Sequence, residues 1–163
     1  MKMRKRMLHR EDETRTPSSP RGLDVADVAT VLTTSESKDF PIDNAFDGTK
    51  GPGATRWLAA QPGPQTLILE FDEPQNVREI TLEIEECEAH RTQELSLSVS
   101  SDGGDGYREL LRQEFHFSPS GATFEREAWP VEANGVTHLR LWISPDKDRG
   151  KPYRASLTSL VLR

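Results

Sequence analysis

Short runs in which apolar and polar residues alternate dominate the chain from about residue 23 onward, each bounded by Gly, Pro, Asn or Asp. A period of two places successive side chains on opposite faces of an extended backbone, so these runs predict strands. Leu95, Leu97 and Val99 alternate with Ser96, Ser98 and Ser100, and Ile80, Leu82 and Ile84 alternate with Thr81, Glu83 and Glu85. In both runs the pattern assigns one face to the core and the other to water. Residues 66–71 are nearly continuous apolar sequence, as expected of a strand buried within a sandwich, and residues 28–34 are rich in β-branched side chains. Residues 110–117, 124–131, 137–143 and 157–162 complete a set of about eight strands. No window of about a dozen residues carries a helical stripe.

Strands joined by polar loops, with no intervening helix, predict an all-β antiparallel sandwich or jelly roll over residues 23–163. A domain of this size hides about 68% of its unfolded surface, enough to fold without metal or disulfide. Asp102-Gly103-Gly104-Asp105-Gly106 lies between two strand patterns and reads as a tight hairpin whose glycines supply positive φ. Trp57 follows a loop of small residues and is expected to plug one end of the barrel, and Trp129, before Pro130, is expected to pack. Trp142 alternates with Leu141 and Ile143, so it projects outward beside Arg140 if those two face the core.

Charge divides the chain of 163 residues unevenly. The formal net charge is −6, yet residues 1–21 carry seven basic and three acidic side chains, a net of +4 that leaves −10 on the rest. Residues 1–22 read as a disordered, solvated basic tail and linker, with Thr16-Pro17-Ser18-Ser19-Pro20 marking the join. Deleting residues 1–21 is therefore expected to leave the melting temperature nearly unchanged. The acidic body repels nucleic acid. No stretch reaches the ~18 apolar residues of a membrane span, and the basic start runs into Glu11, Asp12 and Glu13 rather than an apolar signal core, so a cytoplasmic location is expected. Cys87 is the sole cysteine, which excludes an internal disulfide or a multi-thiolate metal site. The four histidines, His9, His90, His116 and His138, are far apart, and adjacent carboxylates such as Glu85 and Glu86 point to opposite strand faces. No catalytic constellation is legible, and an enzyme is not expected.

Five stretches occur in a telling order: Asp43-Asn44-Ala45-Phe46-Asp47-Gly48; Thr55-Arg56-Trp57; Leu67 to Phe71 with Glu73-Pro74-Gln75-Asn76-Val77 leading into Ile80; Ser100-Ser101-Asp102-Gly103; and the closing Ala155 to Leu162. Together they resemble discoidin domains, the C-type domains of coagulation factors five and eight, and bacterial carbohydrate-binding modules, all built on the galactose-binding-like jelly roll. The resemblance covers roughly residues 25–163. A second likeness is to the amino-terminal domain of the X-ray repair cross-complementing scaffold protein, carried by Arg56-Trp57-Leu58-Ala59-Ala60, Tyr107-Arg108-Glu109-Leu110-Leu111 and Phe117-Ser118-Pro119-Ser120.

The first resemblance implies a non-catalytic recognition module that takes a carbohydrate through loops at one end of the sandwich. The second implies an intracellular protein-interaction domain. Three loops are candidates, at residues 35–40, 86–92 and 145–153, and the residues singled out are Phe40, His90, Arg91 and Tyr153, with Trp142 as an exposed aromatic. Arg91 falls near where sugar-binding relatives often carry an arginine before the Ser-Asp-Gly strand. Equally, each could be an ordinary solvated loop residue. No cofactor is expected beyond, at most, the structural calcium that many such modules hold, for which Asp47 and Thr55 could supply part of the shell. Ser159 stands near the place where the family commonly has a glutamate, which removes a charge from that shell. The alternative is a loop closed by Asp47 accepting backbone hydrogen bonds.

Overall fold

The computed structural model describes residues 3–6, 22–147 and 151–163. The linker at Thr16 to Pro20, His9, and Asp148 to Gly150 of the third candidate loop lie outside the described residues. The elements run β1 (Lys5–Arg6), α1 (Val25–Val28), β2 (Ala29–Thr33), a 3-10 turn (Ile42–Phe46), β3 (Trp57–Leu58), β4 (Gln65–Glu85), β5 (Arg91–Ser100), β6 (Arg108–Phe117), β7 (Phe124–Ser144), β8 (Ser156–Leu157) and β9 (Ser159–Leu162).

Two strands of 21 residues each, β4 and β7, organise the sandwich. They pair antiparallel over two stretches, Gln65 to Glu70 against His138 to Ile143 and Glu79 to Glu85 against Phe124 to Pro130, with register shifts near Gln75 and Val77 between them. Bulges of this kind bend a strand, so one strand pair serves both layers. The first layer has the order β1, β2, β4, β7, β5, β6, and β9 joins the later half of β4 in the second. A small antiparallel pair, β3 with β8, closes one end. Buried Leu67, Leu69, Leu97, Leu139 and Leu141 of the first layer share one core with Ile80, Leu82, Ile84, Leu160 and Leu162 of the second. The sandwich expected from the alternation is thus the one observed. Regions read separately as residues 66–71 and 80–85, and as 124–131 and 137–143, are each one strand, because extended backbone continues through the polar bulge. The hairpin also forms as expected, with Gly103 and Gly104 at φ of 80° and 92°.

Two readings of exposure are reversed. Thr81 and Glu83, assigned to a wet face, are 4% and 2% exposed. Glu83 is covered because its carboxylate accepts the Gly51 amide at 2.8 Å and Arg126 Nε–H at 3.2 Å, partners from distant segments. Conversely Thr66, Ile68 and Glu70, in the nearly continuous apolar run, are half-exposed.

Residues 3–6 of the basic tail depart from the solvated leader expected of them. Within them, β1 pairs parallel with β2, Lys5 opposite Val31 and Arg6 opposite Leu32, and Met3 is buried. Arg4 forms a two-pronged pair with Asp72 at 3.1 and 2.7 Å, Lys5 contacts Glu36 at 3.1 Å and also Asp43, and Arg6 lies 3.5 Å from Glu70. Desolvation opposes the charge on Lys5, but its hydrogen bonds to Asp43 and Glu36 prevail and hold the ammonium above its ordinary value. The physical cause is the charge asymmetry itself: a cationic segment finds carboxylates on an acidic body, and an apolar residue beside it finds the core edge.

Candidate functional site

The end of the sandwich capped by β3 and β8 gathers the groups of most chemical interest. Trp57 is fully buried and its indole N–H donates to the Ser35 carbonyl at 3.0 Å, confirming its role as a plug. Strand alternation then turns the preceding Arg56 to the other side. There its guanidinium lies 4.8 Å from the centre of the Phe40 ring, a cation–π arrangement, and the Leu58 amide donates to the Phe40 carbonyl at 3.1 Å to hold the two segments together. Among the described residues the Arg56 side chain makes no hydrogen bond and no ion pair.

Arg91 is built in the opposite way. Only 4% of its side chain is exposed, and Nη2 pairs with Glu86 at 2.6 Å. Nη1 donates to the carbonyls of Pro145 at 3.1 Å and Arg154 at 2.9 Å, while the guanidinium sits 5.3 Å from the centre of the Tyr153 ring. Glu86 accepts in turn from the amides of Glu88 and Ala89, at 2.9 and 3.0 Å. One arginine therefore fastens the loop before β5 to the segments on both sides of residues 148–150.

Between these two arginines opens a cavity of about 310 Å3, lined by Gly53, Arg56, Leu58, Glu85, Glu86, Cys87, Glu88, Arg91 and Ser156. Its wall offers carboxylates as acceptors, one guanidinium with unengaged donors, and the apolar side chain of Leu58. Cys87 is exposed, but desolvation, reinforced by Glu85, Glu86 and Glu88, raises its thiol, so the group stays protonated at neutral pH and is a poor nucleophile. Among the described residues no group of three or more His, Cys, Asp or Glu could hold a metal ion.

The residues singled out by sequence divide into three groups. Phe40, Arg91 and Tyr153 come to this end of the molecule, Arg91 and Tyr153 in mutual contact. His90 is exposed and does not line the cavity. Trp142 lies elsewhere, on the outer face of the first layer opposite Thr66 and Ser96, half-buried beneath the Arg112 guanidinium at 5.6 Å. Its neighbours Leu141 and Ile143 are fully buried, so the outward direction read from alternation is the one observed. Arg56 and Glu86 were missed as site residues. The signal for Arg56 was present, since a cation directly before a buried Trp on a strand must face away from the core. Glu86 had none, because its pairing with Arg91 depends on the path of the loop.

Asp47 and Thr55 also come together. One Asp47 oxygen accepts the Thr49 amide at 2.9 Å and the Thr49 hydroxyl at 2.8 Å, and the other accepts the Thr55 hydroxyl. Among the described residues, Asp24 and Asp47 are the carboxylates that line the adjoining cavity of about 280 Å3, Ser159 adds none, and Lys50 lines it too. Calcium takes about six to eight oxygens, several of them charged. No group of three or more acidic or histidine side chains gathers here among the described residues, and Asp47 closes the loop by accepting an amide and two hydroxyls.

Known proteins share this architecture. The family model for the NedA-like, galactose-binding domain matches residues 44–137. Among solved structures, the chain is similar to CBM32-3 from a family 31 glycoside hydrolase of Clostridium perfringens, with a TM-score of 0.62 and 18% identity over 86% of this chain and 93% of that one. It is similar also to the family 32 carbohydrate-binding module of Clostridium perfringens NanJ in complex with galactose, with a TM-score of 0.56 and 16% identity over 86% and 96%. A third is chitosan-binding module 1 from a chitosanase/glucanase of Paenibacillus sp. IK-5, with a TM-score of 0.55 and 21% identity over 83% and 94%. At these identities the likeness is one of fold. No curated protein matches the chain. The likeness to the repair scaffold finds no support in these comparisons.

Proposed function

The chain belongs to the NedA-like, galactose-binding domain family, and on that premise we propose that it is a non-catalytic module that binds a carbohydrate in the cavity beside Arg56. The observation that carries this reading is the Arg56 guanidinium, held in place on Phe40 yet without a polar partner among the described residues, at an opening lined with carboxylates. A sugar hydroxyl both donates and accepts. Its lone pairs suit the guanidinium donors, and its protons suit Glu85 and Glu88, an arrangement in which charge-assisted bonds orient a neutral ligand. At about 310 Å3 the cavity matches one sugar residue or a chain end rather than a long oligosaccharide. The relatives described above bind galactose in one case and chitosan in another, so both belong among the probes.

Backbone NMR shift mapping against galactose, glucosamine and their short oligomers tests the proposal. The expected shifts fall on residues 53–58 and 85–91. Silence across the panel at millimolar sugar, or shifts centred on Trp142, would refute it and turn attention to a protein ligand.

A further inference from the structure

The outer edge of β2 carries more recognition chemistry than a chance resting place for a tail requires. Four carboxylates line it, those of Glu36, Asp43, Glu70 and Asp72, and Asp72 is only 3% exposed at its side chain. The Val31 amide points out of the sheet and donates to the Arg4 carbonyl at 3.1 Å, so the edge bonds its occupant through the main chain as well. The occupant, Met3 to Arg6, is a separable piece. It pairs with β2 over two residues only, and 16 residues of sequence lie between Arg6 and Leu23. Nothing in the geometry of a strand joined by so long a connection demands that it come from the same chain.

We propose that this edge is a docking groove for an extended basic peptide, an apolar residue followed by three cations, and that β1 is its intramolecular occupant, displaceable by a second segment of the same chemistry. Strand addition gives such a groove its main-chain affinity, and the flanking pockets give selectivity. Here the apolar first residue enters the core edge as Met3 does, the next forks onto Asp72, and the following two meet Glu36 with Asp43, and Glu70. The surrounding body, at net −10 beyond residue 21, draws in the cation and discriminates against neutral strands.

The test uses the full chain and a fluorescently labelled synthetic peptide of residues 1–10. Arg4→Glu weakens the resident strand, so this variant should bind the peptide about tenfold more tightly than the unaltered chain, in which the groove is filled. Adding Asp72→Asn to it should abolish the gain, and salt should weaken binding throughout. Equal binding by all three proteins, or no binding by a folded Arg4→Glu chain, would overturn the proposal. So would a concentration-dependent dimer that the peptide fails to dissociate, which would assign the groove to a second copy. Should Arg4→Glu not fold, hydrogen exchange on the unaltered chain decides: Val31 should lose protection severalfold as salt rises while Leu97 in the central β5 does not, and a Val31 amide as protected as Leu97 at every salt concentration would refute displaceability.

Discussion

Two arginines at one end of this sandwich rest on aromatic rings, Arg91 on Tyr153 and Arg56 on Phe40, yet they do different work. Arg91 is buried and its terminal nitrogens are met by Glu86 and by the carbonyls of Pro145 and Arg154. Arg56 is half-exposed, and its guanidinium meets only the Phe40 ring among the described residues. The difference separates structure from function in a physical way. A guanidinium whose terminal nitrogens are met internally stabilises the loops, whereas one that is positioned but unmet is available to a ligand.

Breaking the comparison is simplest at Arg91. Arg91→Ala leaves the Glu86 carboxylate and two carbonyls without their donor and should cost about 3–5 kcal/mol, read as a fall in the denaturant midpoint. A loss below about 1 kcal/mol would mean that this arginine is not the fastening it looks to be. Glu86→Gln keeps the shape and the acceptor while removing the charge, and should cost about 1–3 kcal/mol in the same assay. The Asp47 corner extends the rule to a site whose capacity is met internally by hydroxyls. Thr55→Val should cost about 1 kcal/mol, and replacing calcium by a chelator should move the melting temperature by less than about 1 °C. A rise of several degrees on adding calcium would show that the corner takes the ion after all. The smallest effect concerns Asp102, where the Ser100 hydroxyl and then the Gly106 amide hold the carboxyl below its ordinary value. Its contribution to stability is accordingly present above the unfolded-state pKa and is lost as pH falls through the folded one. NMR titration should find that depressed pKa in the unaltered chain and a higher one in Ser100→Ala.

What could be read from the sequence was local. Alternation at Leu95 to Ser100, the glycines after Asp102, and a Trp following small residues each report their own surroundings, and these gave the sandwich, the hairpin and the plug. Glu83 was misread because its partners, Gly51 and Arg126, are 32 and 43 residues away, and nothing in the alternation of one strand shows what covers its other face. Residues 3–6 of the leader were misread for a related reason. A run such as Lys5 and Arg6 looks solvated until the carboxylates of Glu36, Asp43 and Glu70 are placed opposite it by the fold. At the site, sequence found Arg91 by its place in the family pattern, whereas its contacts with Glu86 and two carbonyls, and the place of Arg56 beside it, depend on the fold.

Calorimetric titration of the unaltered chain and of Arg56→Ala, with the tightest sugar found by shift mapping, tests the central claim most directly. The account predicts at least about a tenfold loss of affinity in the variant, with a stability change within about 0.5 kcal/mol. Unchanged affinity in a fully folded Arg56→Ala would contradict it.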